Sequence, residues 1–231
     1  MQKQSPEAIP VRLKKEFKIQ ISHTSIYKWI YLSNAQSNAQ RNAKYLCFRR
    51  CKKKKVNGNK TKREMIPDLV SIDKCSLSGV HWEGDLFVSP SKLPHSVSAT
   101  MFVEQKSQYI QVYKLENRKT STMLREVNIF LKNHKLSDIT FDRGIENKDY
   151  KKFKTNSCFC DPRAPWQKAH VENNIELLRK WFFPKGTNLQ KVSQKKLNES
   201  VDILNRKWRK SLGYKSALEV VRENGIVLDN Y

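Results

Sequence analysis

The stretch His81-Trp82-Glu83-Gly84-Asp85-Leu86-Phe87-Val88 decides how the chain is read. It is a short run rich in apolar and aromatic residues, and it predicts a buried β-strand that carries two acids inside it. Working outward, Ser98-Ala-Thr-Met-Phe-Val-Glu104 and Tyr109-Ile-Gln-Val-Tyr113 predict two more strands, joined by the hairpin-length turn Gln105–Gln108. Thr120 to Lys132 places Met123, Leu124, Val127, Phe130 and Leu131 on one side of a helix. Asp138-Ile-Thr-Phe-Asp142 is a fourth strand and Cys158-Phe-Cys160 a candidate fifth. After Asp161-Pro162 a long helix is expected from Gln167 to Phe183, stopped by Pro184-Lys-Gly186. Strands alternating with helices in this order predict an α/β domain built on a mixed sheet flanked by helices. Two further basic helices are expected over 193–212 and 216–223.

The chain has 231 residues, with 45 Lys plus Arg against 22 Asp plus Glu, a formal net charge of +23. Aromatic residues make up 10%, which a chain without a packed core would lack. No apolar run approaches the roughly 18 residues of a membrane span, and no secretory leader is visible. The excess of positive charge is the footprint of a nucleic-acid binder. The five cysteines, Cys47, Cys51, Cys75, Cys158 and Cys160, lack the spacing of a zinc site. Their odd number and the absent leader predict free thiols in a reducing cytoplasm.

Near the N-terminus, Ser5 and Pro6 predict a helix start, followed by the apolar positions Ala8, Ile9, Leu13 and Phe17. Pro10 is expected to distort the first turn of that helix. Ser22 caps a second helix with Ile26, Trp29 and Ile30 as its buried stripe and Lys28 on the outward face. Two short helices with a polar, basic second face suit a helix-turn-helix segment over 1–32. A basic linker over 33–77 follows. Between 41 and 63 it holds eleven positive charges and no acid, including Arg49, Arg50, Lys52, Lys53, Lys54 and Lys55. Such a segment is expected to bind a phosphate backbone without reading sequence. Lys168 and Arg179, on the long helix, are expected as further phosphate contacts.

Three acids carry the chemistry. Asp85 and Asp142 end apolar strands, and Glu172 lies early on the long helix beside Val171 and Ile175. Carboxylates near a core are costly unless paired or bound to a cation. Two neighbouring strands and a covering helix are able to bring the three together on Mg²⁺, a hard ion that takes oxygen ligands. Each acid also has a structural role open to it. Asp85 can cap a turn after Gly84, Asp142 can make an Asx-turn before Gly144, and Glu172 can pair with Lys168 or Arg179. Glu83 shares the strand face of Asp85, and Glu146 lies just past Asp142.

These residues also carry a resemblance. His81-Trp-Glu-Gly-Asp85, Thr140-Phe-Asp-Arg-Gly144, Phe159-Cys-Asp-Pro162, Pro165-Trp-Gln167 followed by Glu172-Asn173, Phe183-Pro-Lys-Gly-Thr187, Leu204-Asn-Arg206 and Arg209-Lys-Ser-Leu-Gly-Tyr214 resemble the motif series of DDE transposases of the insertion-sequence-thirty family. Ser5-Pro-Glu-Ala-Ile9 and Ile21 to Tyr31 resemble that family's DNA-binding helices. The resemblance implies a ribonuclease-H-like core over 78–185, shared with retroviral integrases, and a basic helical C-terminal extension over 186–231. It implies that Asp85, Asp142 and Glu172 are a catalytic triad binding Mg²⁺, with Mn²⁺ as substitute. The implied activity is cleavage at transposon ends and strand transfer into target double-stranded DNA. A homo-oligomer in the synaptic complex and a bacterial cytoplasmic, nucleoid-associated location follow, with no membrane partner. The family carries a further helix-turn-helix upstream, so the chain reads as N-terminally shortened. Asp142-Arg143-Gly144 stands where the family has Asp-Asn-Gly, and the segment after it is shorter by about four residues. The alternative reading is a catalytically inactive remnant that acts only as a DNA-binding protein.

Overall fold

The computed structural model describes residues 4–32, 66, 68–75, 79–89 and 97–225. Arg49, Arg50 and Lys52 to Lys55 lie outside the described residues, as does most of the basic linker. The chain divides into two compact units, Met1–Lys62 with Arg206–Ala217, and Arg63–Asn205 with Leu218–Tyr231.

The larger unit is built on a five-stranded sheet. Its strands are β1 (His81–Val88), β2 (Ser98–Glu104), β3 (Ile110–Leu115), β4 (Asp138–Phe141) and β5 (Asn156–Phe159), in the order β3-β2-β1-β4-β5. β1, β2 and β3 pair antiparallel as a meander. β4 and β5 then add parallel to β1, so the sheet is mixed. This is the expected α/β arrangement of a mixed sheet flanked by helices. The crossover from β3 to β4 runs through the helix Thr120–Asn133, which is α3 here because two N-terminal helices precede it. The helices Ala169–Trp181 (α4) and Gln194–Asn205 (α5) also belong to this unit.

Alternation along β1 sorts its side chains between two layers. Phe87, with Met101 and Val103 of β2, packs into the cluster formed with Val171 and Leu178 of α4 and Leu197, Val201 and Leu204 of α5. On the other face Trp82 meets Phe130 of α3 edge-on at 4.8 Å, and Phe102 stacks on Phe130 at 4.2 Å. Every residue of β2 is buried, as a strand covered on both faces requires. Gly84 points into the aromatic layer. A Cβ there would stand 2.5 Å from Phe141 Cε1 and 3.3 Å from Phe102 Cε1, and both rings are almost wholly buried. Gly84→Ala is therefore expected to cost about 1–3 kcal/mol by overpacking, read as a lower urea midpoint.

Both sheet edges are closed, one by side chains and the other by the segment around Val70 and Ser71. At β3, Ile110 N–H donates to Asn205 Oδ1 and Asn205 Nδ2 donates to Ile110 O, each at 2.9 Å. Gln194 does the same at Lys114 N–H and Val112 O. The larger unit therefore extends through α5 to Asn205. At β5, Phe159 N–H donates to Val70 O, and Ser71 bridges Phe159. That pairing brings the Cα atoms of Cys75 and Cys158 to 6.4 Å, within disulfide reach, and the two are bonded. Free thiols are thus the wrong expectation for these two, because the partner segment lies 83 residues away in sequence and only the fold apposes it. Cys160 is free and buried, and burial pushes its thiol up to about 11.

The smaller unit holds α1 (Ala8–Phe17) and α2 (His23–Leu32) with a short hairpin, β6 (Trp208–Arg209) and β7 (Lys215–Ser216). Ser5 O accepts from Ala8 and Ile9 N–H, and Pro10 falls in the first turn, where its missing N–H costs nothing. Ser22 Oγ accepts from Ser25 N–H at 3.0 Å and caps α2. Trp29, expected in the buried stripe, is 60% exposed, whereas Ile30 is buried. The helix expected over 193–212 ends at Asn205. Gly213 at φ 61° and Tyr214 at φ 62° turn the chain back as a hairpin instead. Gln4 clasps that hairpin, donating to Arg206 O at 3.1 Å and accepting from Trp208 N–H at 2.8 Å. Arg12 lies over the Trp208 ring at 5.0 Å. The last helix, α6 (Ala217–Glu223), follows β7 directly.

Candidate active site

Parallel pairing of β1 with β4 sets Glu83 opposite Thr140, so two residues on Asp85 comes level with Asp142. Each aspartate has one oxygen committed to the local backbone and one left over. Asp85 Oδ1 accepts from Leu86 N–H at 2.8 Å. Asp142 Oδ1 accepts from Gly144 N–H at 3.1 Å and from Asn147 Nδ2 at 3.2 Å. A Cβ on Gly144 would stand 2.6 Å from the Glu146 carboxylate. The second oxygens face a common point, and Lys168 Nζ occupies it. Lys168 Nζ stands 2.9 Å from Asp85 Oδ2, 3.9 Å from Asp142 Oδ2 and 3.8 Å from Glu172 Oε1. Since all three oxygens lie within 4 Å of one atom, no two are more than about 8 Å apart.

Several structural roles open to these acids are thus filled alongside their convergence. Asp142 makes its Asx-turn, and Glu172 pairs with Lys168 across one helical turn. Burial raises the Asp85 carboxyl, Lys168 works against that rise, and Asp142 adds to it. For Lys168, burial disfavours the ammonium, but Asp85 first, then Asp142 and Glu172, outweigh it and the pKa is raised. Among the described residues no three His, Cys, Asp or Glu side chains are close enough to hold a metal ion as they stand. The three carboxylates surround an ammonium, and a cation is what fits there: hard oxygen donors, one free from each aspartate.

Glu83 fixes the element that carries Glu172. Its carboxylate is 1% exposed and accepts from Val171 N–H at 2.9 Å and from His170 N–H, in the first turn of α4. Burial pushes its pKa up to about 7, against the pull of those amides. Glu83→Ala leaves buried amides without acceptors, at about 1–3 kcal/mol each. A lowered urea midpoint, largely restored in Glu83→Gln, is the expected result.

Other expectations need correction. Lys168 is buried among the carboxylates and is not presented to solvent as a phosphate contact. Arg179 lies over the Phe87 ring at 4.6 Å and donates to Val88 O at 3.3 Å, so packing on β1 occupies it. Lys28 is exposed on α2. Trp166 is 72% exposed on the turn that carries Lys168. His81 belongs to the far end of β1, where Nδ1 pairs with buried Asp138 and Nε2 with Thr140. Arg143 turns to Cys160 O, at 2.8 Å, and to Asp161. Asp161 is a hub there, held low by Gln167 and Ser71, with Gln167 bonding its carboxylate and its backbone amide. Sequence reading passed over Asn147, which orients Asp142; no motif signal marks it.

No protein-family model matches the chain. It is 30% identical over 241 residues to the transposase for insertion sequence element IS1086 of Cupriavidus metallidurans, covering 96% of this chain and 69% of that protein. It is 33% identical over 155 residues to transposase InsI for insertion sequence element IS30A of Escherichia coli, covering 64% of this chain and 39% of that protein. The catalytic core domain of BIV integrase matches in structure with a TM-score of 0.47 at 14% identity, over 63% of this chain and 95% of that one. A relative at this identity along nearly the whole chain, joined to the motif series carried on β1, β4 and α4, places the chain in the IS30 family of DDE transposases.

Proposed function

We propose that Asp85, Asp142 and Glu172 bind divalent cations, Mg²⁺ with Mn²⁺ as substitute. With them the chain cuts phosphodiester bonds at the ends of a mobile element and joins the resulting 3′ hydroxyl to target DNA. The observation that supports this reading is the convergence of three carboxylate oxygens, from β1, β4 and α4, around one positive charge. Divalent cations bound there would supply charge neutralisation at phosphorus and a Lewis acid for the attacking and leaving oxygens. The chain's own part is positioning. Leu86, Gly144 and Asn147 hold one oxygen of each aspartate so that the other faces inward, and Glu83 pins the first turn of α4. Arg143 donates to Cys160 O and lies 3.4 Å from Asp161 Oδ1.

The expected partners are double-stranded DNA, as element ends and as target, and further copies of the chain in the synaptic complex. A net charge of +23 supports strong, salt-dependent attraction to phosphate, and Lys28, exposed on α2, is the proposed contact there. Among the described residues no helix is long and apolar enough to cross a membrane. The test is incubation of the protein with a duplex carrying the element's terminal repeats, with Mg²⁺, Mn²⁺ or EDTA. Metal-dependent nicking and joined product are expected on a denaturing gel. Binding of that duplex without cleavage in either metal would leave only the DNA-binding reading.

A further inference from the structure

Lys168 closes the short turn Pro165–Lys168 and stands at the N-cap of α4, one helical turn before Glu172. Its side chain is 11% exposed, and its ammonium faces all three carboxylates of the site. Burying an ammonium is costly unless opposite charge surrounds it, and three like-charged carboxylates around one point repel unless a cation lies between them. The burial of Lys168 beside Asp85 and the crowding of the three carboxylates offset one another. We propose that Lys168 is the resident counter-ion of the triad: it holds the acids together in the metal-free protein and competes with the first divalent cation for the same point. This inference rests on the metal-binding reading above.

Competition has a consequence that neither a packing role nor a phosphate contact shares. Removing the ammonium leaves the metal-free site with unbalanced negative charge, which weakens the fold. The same change deepens the negative potential a divalent cation meets, and it abolishes the displacement step. Stability without metal and affinity for metal should therefore move in opposite directions. A lysine that only packed the turn would lower stability at every metal concentration and leave affinity no better. A lysine that only contacted phosphate would change neither property without DNA.

The experiment uses the full chain without DNA. Mn²⁺ is titrated calorimetrically and by the paramagnetic resonance signal of the free ion, into the unaltered protein, Lys168→Met, Lys168→Arg and Asp142→Asn. Thermal unfolding is followed in EDTA and in Mn²⁺. Lys168→Met is expected to bind Mn²⁺ at least about tenfold more tightly than the unaltered protein, equivalent to ~1.4 kcal/mol. It is also expected to melt lower in EDTA and to gain more from Mn²⁺. Lys168→Arg should stay within about threefold of the unaltered protein. Equal or weaker Mn²⁺ binding by Lys168→Met, with binding lost in Asp142→Asn, would overturn the counter-ion role and leave the triad intact. Mn²⁺ binding that is absent throughout, or indifferent to Asp142→Asn, would overturn the metal-binding reading and this inference with it. If Lys168→Met is unfolded in EDTA, recovery of its circular dichroism on adding Mn²⁺ supports the role, and failure to recover, shared by Lys168→Gln, overturns it.

Discussion

Asp142→Asn is expected to lower strand joining at least about 10³-fold while leaving duplex binding nearly unchanged. Asparagine has the same shape, and its amide oxygen can still accept from Gly144 N–H and Asn147 Nδ2. The Asx-turn after β4 is therefore preserved, and the loss reports on charge rather than on folding. What disappears is the second oxygen, the one 3.9 Å from Lys168 Nζ that shares the convergence point with Asp85 and Glu172. Bound cations contribute several kcal/mol of transition-state stabilisation, and each 1.36 kcal/mol is a factor of ten in rate. Joined product is measured on a denaturing gel, and binding by salt-titrated mobility shift. Joining at the unaltered rate would remove Asp142 from the site.

Phe102→Ala is expected to have the largest effect on stability, a loss of about 3–5 kcal/mol. Phe102 is fully buried at the centre of β2, stacked on Phe130 and edge-on to Tyr113 and Phe141. Rings at fixed spacing cannot collapse into the space it leaves, so the variant bears both the lost burial and the cavity. The effect extends to the site, because Phe141 immediately precedes Asp142 and Gly84 immediately precedes Asp85. The aromatic layer under both aspartates rests on this one ring. Urea unfolding measures the loss, with an unchanged slope if the denatured state is unaffected. An unfolding free energy within about 0.5 kcal/mol of the unaltered protein would show that the layer repacks without it.

Much of the core was legible because its signals are local. The alternation in Trp82-Glu83-Gly84-Asp85 assigns Glu83 and Asp85 to one face and Trp82 and Gly84 to the other, and the contacts of β1 follow that assignment. Ser22 as a cap and the helix from Thr120 were equally local. The misreadings share a physical cause, which is that their outcome depends on partners distant in sequence. Trp29 fits a helical stripe by spacing, yet nothing in its own helix says which side is covered. Arg206 to Leu212 is basic enough to read as helix, but Gly213 and Tyr214 take positive φ and Gln4 supplies hydrogen bonds to the returning strand. Lys168 and Arg179 look like surface cations from composition. One is buried by carboxylates on β1 and β4, and the other is laid over Phe87.

What the sequence determined by itself is the class of the fold, the strand that carries Asp85 and the three acids worth asking about, because period, capping and motif order are properties of neighbouring residues. Only the tertiary structure decided that these acids meet, that a lysine stands between them, and that Glu83 anchors the helix of the third. Those are distances between β1, β4 and α4, set by sheet register and helix packing, and register is a relation between segments that no single segment contains.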